Sequence, residues 1–479
     1  MKKITLHSIV ILVLMMCNSC QKYLDKPFDN RLEIKSVPDF KALTRQAYPT
    51  KYDIFTEVLT DTYYIYPALM QAAWKPLYTP IYLYQDDYEY AIKYAASPAT
   101  AYTHFYNKIY DANYVIENIV NASDGKESER DVILAEALLI RAYCYFVLTN
   151  LFGKHYNVNS YETDLAVPLV TDINKENRPT YKRGTVKEAY QLIEADLYKA
   201  ISIYEKYPAL TPVNPYQFTA AAAYAFACRL SLYKGDYANT IAYANKTFES
   251  NGMVLRDMEK DRDQLYKSGW DFFSSQLNDP STHPNIIMAS QSAYLHYAIG
   301  NSWGGFYVDR DFRKLITDDD YRGLYKNNAG TVIDDCIFMV KNVTDWSDTR
   351  YILFGVEEVL LSRAEAYLKI NTVNKNAALK DLEVLRKSRI ENNYQPLPMN
   401  STNEQVLEEI LSQRKIELLA EGLRWYDIKR LGIRVEHKMD AKSETVDATL
   451  APNDPRTALQ IPVNARIGNP ELENQLNPR

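Results

Sequence analysis

Histidine, cysteine and glycine are all scarce in this chain, and each scarcity removes a class of chemistry. The 479 residues include 6 His, none of them paired at metal-ligand spacing, so no H-E-x-x-H helix or related metal motif is present. The 15 Gly assemble no phosphate-cradling loop, and no G-x-S-x-G elbow presents a serine nucleophile. Of the 5 Cys, two lie near the start. The others, Cys144, Cys228 and Cys336, suggest neither a disulfide framework nor a zinc site. Cys144 and Cys228 sit in apolar helical stretches and read as buried free thiols. Excess positive charge is missing too. The formal net charge is -6, and removal of Lys2 and Lys3 with a leader takes it to -8, which argues against a nucleic-acid partner. Beyond Cys20 no run approaches the roughly 18 consecutive apolar residues of a membrane-spanning helix.

The chain opens on a targeting pattern. Lys2 and Lys3 are followed by an unbroken apolar run, Ile9 to Met16, and then by small and polar residues up to Cys20. That run suits a signal peptide and is too short to cross a bilayer. Residues 1–19 therefore read as a lipoprotein signal, with Cys20 as the acylated residue. Asn18 and Ser19 before Cys20 suit a peptidase that takes small side chains; Met15 and Met16 before Cys17 do not. Each buried methylene contributes roughly 0.8 kcal/mol, so several acyl chains on Cys20 would hold a water-soluble body at a membrane permanently.

The body is rich in one residue. There are 40 Tyr against 15 Phe, and tyrosine combines a flat apolar face with a hydroxyl suited to wet, stacking surfaces. Many of these rings also suit helix–helix seams. Helical periodicity runs through Ala101 to Asn121, with Phe105, Ile109, Ala112, Val115, Ile116 and Ile119 on one face. It continues in Glu129 to Phe152, closed by Gly153 as a C′ residue, then in Thr185 to Tyr204, Tyr216 to Tyr233 and Tyr237 to Ser250. Near the C-terminus follow Glu357 to Ile370, Ala377 to Ser388 and Glu404 to Leu431. Leu139-Ile-Arg-Ala-Tyr143 resembles Leu361-Ser-Arg-Ala-Glu365, and Leu230 to Ala244 resembles a tetratricopeptide unit with its Gly235-Asp236 turn. Such units stack because none buries its apolar face alone. The stretches 55–100 and 251–349 differ: they hold Trp74, Trp270, Trp303 and Trp346 among Tyr, Asp, Asn and Gly, and read as an irregular layer of the kind that carries function.

Several motifs together resemble one family. Cys20-Gln-Lys-Tyr-Leu-Asp-Lys-Pro27, Thr56-Glu-Val-Leu-Thr-Asp61, Glu136-Ala-Leu-Leu-Ile-Arg-Ala-Tyr143 with Leu151-Phe-Gly153 and Val167-Pro-Leu169, Arg183-Gly-Thr-Val with Ile193-Glu-Ala-Asp-Leu197, and Leu459-Gln-Ile-Pro462 with Asn469-Pro470 are similar to SusD/RagB-type proteins. The most specific is Arg414-Lys-Ile-Glu-Leu-Leu-Ala-Glu-Gly-Leu-Arg-Trp-Tyr-Asp-Ile-Lys-Arg430. The resemblance implies a mainly α SusD-like fold over 20–479, with four tetratricopeptide-like helix pairs within about 101–250 and 356–431 and the loop-rich layer on top. It also implies a surface lipoprotein of the outer membrane, without cofactor or catalysis, that caps a SusC-like TonB-dependent barrel. The ligand it implies is an oligosaccharide or, in some branches, a peptide, delivered by a hinged lid motion. A lipid-anchored hydrolase and a pure protein-binding scaffold are the competing readings.

Two sets of residues could carry chemistry. For ligand, flat rings with polar neighbours are needed; the loop layer offers Asp61, Tyr63, Tyr64, Trp74, Tyr82 and Tyr84, and, further on, Tyr294, Trp303 and Tyr307, and packing into the scaffold is the alternative for each ring. In the signature, a continuous helix would stack Arg414, Glu417, Glu421, Arg424 and Asp427 at three- and four-residue spacings, beside Trp425, with Gly422 allowing close approach. Two carboxylates four apart could serve as an acid/base pair; an ion-pair lattice that fixes the helix is the preferred reading. His104 reads as a satisfied seam residue, and Asp318-Asp319-Asp320 as a solvated acidic run.

Overall fold

The computed structural model describes residues 34–65, 67–68, 70, 72–86, 96–173, 180–269, 277–292, 305–326, 339, 341, 344–345, 348–440, 443–467 and 469–479. The leader 1–19, Cys20, Tyr294, Trp303, Trp270, Trp346 and Cys336 lie outside the described residues. The fold is mainly α, as expected. Its principal helices are α1 (Val37–Ala47), α2 (Lys75–Tyr82), α3 (Pro98–Asn118), α4 (Glu127–Phe152), α5 (Val186–Lys206), α6 (Ala220–Lys234), α7 (Tyr237–Asn251), α8 (Met258–Ser268) and α9 (Arg310–Lys314), then α10 (Val356–Lys369), α11 (Lys375–Lys387), α12 (Asn403–Glu417) and α13 (Arg424–Leu431).

Helix starts are written locally. Ser97, Thr185 and Thr402 each accept from the N3 amide while the N3 side chain returns to the cap, the reciprocal capping box. Asp236 caps α7 from the predicted Gly235-Asp236 turn. Gly153 ends α4 but is extended (φ -102°), not left-handed. Glycine is needed there for space: a Cβ would meet the Thr149 carbonyl oxygen at 2.8 Å and the Leu165 carbonyl oxygen at 3.1 Å.

The helices pack in sequence, α3 on α4, α4 on α5, α6 on α7, and α10 on α7, α11 and α12. Phe105, Ile109, Ala112, Val115 and Ile119 are buried as the periodicity predicts. Helix α4 is long and apolar enough to cross a membrane, yet 94% of its most apolar window is buried inside the protein; it is the central core helix. A separate apolar cluster joins Leu360, Leu361, Leu382, Leu385, Val406 and Ile410 across α10, α11 and α12.

The similarity between Leu139–Tyr143 and Leu361–Glu365 has a physical basis. Arg141 on α4 makes a two-pronged ion pair with Asp196 on α5 (2.7 and 2.9 Å). Arg363 on α10 does the same with Asp381 on α11 (2.7 and 2.8 Å). Arg229 on α6 repeats the device with Glu358 on α10 (both 2.6 Å). Each planar guanidinium fixes the register of one helix against another.

The two stretches expected to be irregular are partly regular. Helix α2 and the 3₁₀ segment Tyr52–Leu59 fall in the first, and α8 in the second. In α2, Pro76 starts the helix and Leu77, Tyr78, Ile81 and Tyr82 form its buried stripe. Among the described residues there are three small antiparallel sheets: β1 (Tyr63–Ile65) with β3 (Phe306–Val308); β2 (Ile286–Ser292), β5 (Asp348–Gly355) and β4 (Thr344–Asp345); and, outside both stretches, β6 (Val435–His437) with β7 (Ala448–Leu450).

Candidate functional site

The signature does not form one helix. Helix α12 stops at Glu417 and α13 begins at Arg424. Between them Ala420 (φ 58°) and Gly422 (φ 72°) are left-handed, so the helical repeat is lost at Glu421. A Cβ on Gly422 would lie 3.4 Å from the Lys51 side chain and 3.5 Å from the Thr56 hydroxyl. The turn is needed because the segment 51–61 lies directly against it.

That contact is a polar clamp. Asp53, Glu57 and Asp61 recur every four residues and each meets the signature. Tyr426 donates its hydroxyl proton to Asp53 (2.9 Å). The Gly422 amide donates to Glu57 Oε1 (2.6 Å). Arg424 takes both oxygens of Asp61 (2.8 and 2.7 Å), and Lys415 joins at 2.9 Å. Burial pushes the Asp61 carboxyl up, but Arg424 and Lys415 outweigh it and hold the group far below the carboxylate range. Glu57 is different. It is 1% exposed, and among the described residues its Oε2 has no hydrogen-bond partner. Burial drives its carboxyl up to about 7, against the opposing pull of the Gly422 amide and Lys51.

Glu417 and Glu421 are paired with cations from outside the signature, and Asp427 with arginines inside it. Glu417 is gripped by Arg389 (2.8 and 3.1 Å) and Arg322 (3.2 Å). Glu421 pairs with Lys341 rather than with a helical neighbour. Asp427 joins Arg414 and Arg430 (both 2.8 Å), and Arg430 continues to Glu365 (2.6 Å). Burial would raise Glu417, yet Arg389 and Arg322 bring it to about 2. Glu417 and Glu421 thus serve a buried lattice, with Trp425 fully buried beside it. Asp320 belongs to the same lattice. It is 5% exposed and bound to Arg322 at 2.6 Å, so the run 318–320 is not uniformly solvated.

Strands β1 and β3 bring Tyr63 and Tyr64 opposite Val308 and Tyr307. Tyr63, Trp74, Tyr82, Tyr84 and Tyr307 are buried, and Tyr64 is half-buried. Their rings pack into the protein. Trp74 stacks on Tyr78 (5.8 Å), which meets Phe306 edge-on (5.5 Å). Tyr82 and Tyr84 stack on His437 (4.0 and 4.9 Å), and their hydroxyls donate to the carbonyls of Lys438 and Leu59 (both 3.0 Å). His437 was not singled out from sequence; nothing local marks it. Among the described residues of this region, Asp61 and Tyr64 are half-buried, and Lys75, Gln85 and Asp86 are exposed. His104 is the expected seam residue: its Nε2 accepts from the Thr50 amide (2.9 Å) and its ring lies on Tyr52 (4.4 Å). Cys144 and Cys228 are buried free thiols.

With this geometry in hand, comparison with known proteins decides the family. The family described as starch-binding associating with outer membrane matches residues 22–232, and the SusD family matches residues 340–471, between them most of the chain. The chain belongs to the SusD family. The clamp between segment 51–61 and the signature therefore joins the two matched portions of a SusD-family protein. The SusD-like protein P38 of Formosa agariphila is 25% identical over 437 residues, 78% of each chain. A SusD superfamily protein of Bacteroides thetaiotaomicron superposes with a TM-score of 0.74 at 21% identity, over 93% of this chain and 100% of that one. The surface glycan-binding protein A of Bacteroides uniformis superposes at 0.67 with 14% identity, over 91% and 98%. Proteins of this family are associated with the outer membrane and bind carbohydrate.

Proposed function

We propose that this SusD-family chain is a lipid-anchored, non-catalytic receptor that captures an oligosaccharide and delivers it to a SusC-like TonB-dependent barrel. Membership of the family carries this reading. The chemistry of the signature supports the absence of catalysis there, because Glu417, Glu421 and Asp427 are buried and locked in ion pairs. Cys20 supplies the anchor and the outward-facing loop layer supplies the ligand site. Within that layer the half-buried Tyr64, with Tyr294 and Trp303, are the contacts we propose. Trp74, Tyr82, Tyr84, Tyr63 and Tyr307 are buried and support the layer from within.

The test is titration calorimetry of residues 20–479 against polysaccharides, host-type glycans and a peptide digest, repeated with Trp303→Ala. Saturable binding of one glycan class, weakened several-fold by Trp303→Ala with the helical circular dichroism intact, supports the reading. Binding confined to peptides would replace the oligosaccharide by an oligopeptide. Release of shorter sugars from a bound glycan would make the protein a hydrolase and end the receptor reading.

A further inference from the structure

A cavity of about 570 Å³ opens where the C-terminal ends of α4, α6 and α13 meet the turns at 154–160 and 453–457. None of the ligand residues considered above lines it. Its basic lining is Lys154, His155, Lys234, Lys429 and Arg430. Most of these charges are already matched. Lys154 pairs with Asp164 at 2.6 Å, Lys234 with Glu194, and Arg430 with Asp427 and Glu365. The two lining acids are committed too: Asp164 also accepts from Ser160 (2.6 Å), and Asp454 holds Arg456 (2.7 Å).

Lys429 stands apart. It is 5% exposed, and its Nζ donates to the carbonyl oxygens of Asn150 (2.6 Å) and Gly153 (2.8 Å). Among the described residues no carboxylate pairs with it. Capping the end of α4 explains two of the three N–H groups of an ammonium. It does not explain why a buried cation lines a cavity without a counter-ion, an arrangement that burial alone penalises. That penalty lowers the ammonium to about 7. His155 is kept neutral beside it, first by burial and then by the charges of Lys429 and Arg430, which carry a positive potential into the cavity. Asn157, Ser160 and Thr457 add neutral hydrogen-bonding groups to the lining. The volume lies in the range of small-molecule sites, roughly 300–1,000 Å³, well beyond what a bare inorganic ion fills.

We propose that this cavity is a second binding site, for a sugar-sized acid whose carboxylate or sulfate group takes the remaining N–H of Lys429. The charge of the ligand follows from Lys429; only its being a sugar rests on the receptor reading above.

The experiment uses the full mature chain at constant ionic strength, with glucuronate, glucose 6-sulfate, glucose and inorganic sulfate as probes. Calorimetry gives affinity, and NMR of isotope-labelled lysine follows the titration of Lys429. The sugar acids should bind and glucose should not. Affinity should fall as pH rises from about 6 to about 8.5, since the ammonium is the binding form. Lys429→Met should weaken binding by about tenfold or more, and bound glucuronate should move the Lys429 titration upward in the wild-type chain. That last measurement stands even if Lys429→Met fails to fold. Glucose binding as tightly as glucuronate, inorganic sulfate binding as tightly as either sugar acid, or an unmoved Lys429 titration would overturn the proposal. Binding of a neutral oligosaccharide at the loop face should survive Lys429→Met, so the two sites fail separately.

Discussion

Replacing Glu57 by glutamine should make the protein more stable at neutral pH and not in acid. Glu57 is enclosed between segment 51–61 and the signature turn, and burial raises its carboxyl from 4.5 to about 7. The folded protein therefore holds this proton more tightly than the unfolded chain does. As pH rises, the unfolded chain releases its proton first, so stability is lost between about 4.5 and about 7 and is level above that. At about 1.4 kcal/mol per pH unit, the loss amounts to roughly 3.5 kcal/mol at most. Glutamine carries no charge at any pH and keeps an oxygen for the Gly422 amide. Other groups titrate in the same range. Burial holds His104 and His155 near 3, which makes stability rise with pH up to their ordinary value of 6.5. Both histidines are common to the two proteins, so the difference between them isolates Glu57. Urea unfolding followed by circular dichroism at about pH 4.5 and about pH 7.5 measures it. Glu57→Gln should match wild type at the lower pH and exceed it by about 2–3 kcal/mol at the higher. A difference that does not change with pH would refute the argument.

Asp61→Asn should lower the thermal midpoint by an amount corresponding to about 2–3 kcal/mol, below the usual loss for a buried pair because the Asp61 side chain is 25% exposed; an unchanged midpoint would remove the clamp from the stability of the fold. Among the helix-joining arginines, Arg229→Met should cost more than Arg363→Met. The first pair is sealed in the core (2% and 3% exposed) and the second is partly hydrated (14% and 7%). Calorimetric melting of the two variants checks the order, and a reversed order would contradict it.

Much of the scaffold could be read locally. Thr185, Asp236 and Thr402 announce helix starts because capping is settled within four residues. The apolar stripe of α3 announces its buried face in the same way. The break between α12 and α13 was hidden, since Leu418, Leu419 and Ala420 continue a good helical pattern and only Gly422 interrupts it. What bends the chain is the acidic face of Asp53, Glu57 and Asp61, and their four-residue spacing was the one available signal. The partners of Glu417 and Glu421 come from Arg322, Lys341 and Arg389, which no spacing within the signature can name. Ring chemistry misled for a related reason. Tyrosine suits both a wet platform and a dry seam, and for Tyr82 and Tyr84 the choice was made by His437, some 350 residues away.

The clamp also bears on the order in which the chain can fold. Arg424 and Asp61 are 363 residues apart, and Gly422 and Glu57 are 365 apart. Closing so long a loop costs entropy that is recovered only when both ends are present. A chain cut before residue 414 would leave Glu57 without the Gly422 amide and Asp61 without Arg424 and Lys415, while Asp53 would keep only Lys51. A stretch near residue 424 thus locks one near residue 57, and chains truncated before residue 430 should remain open to proteases.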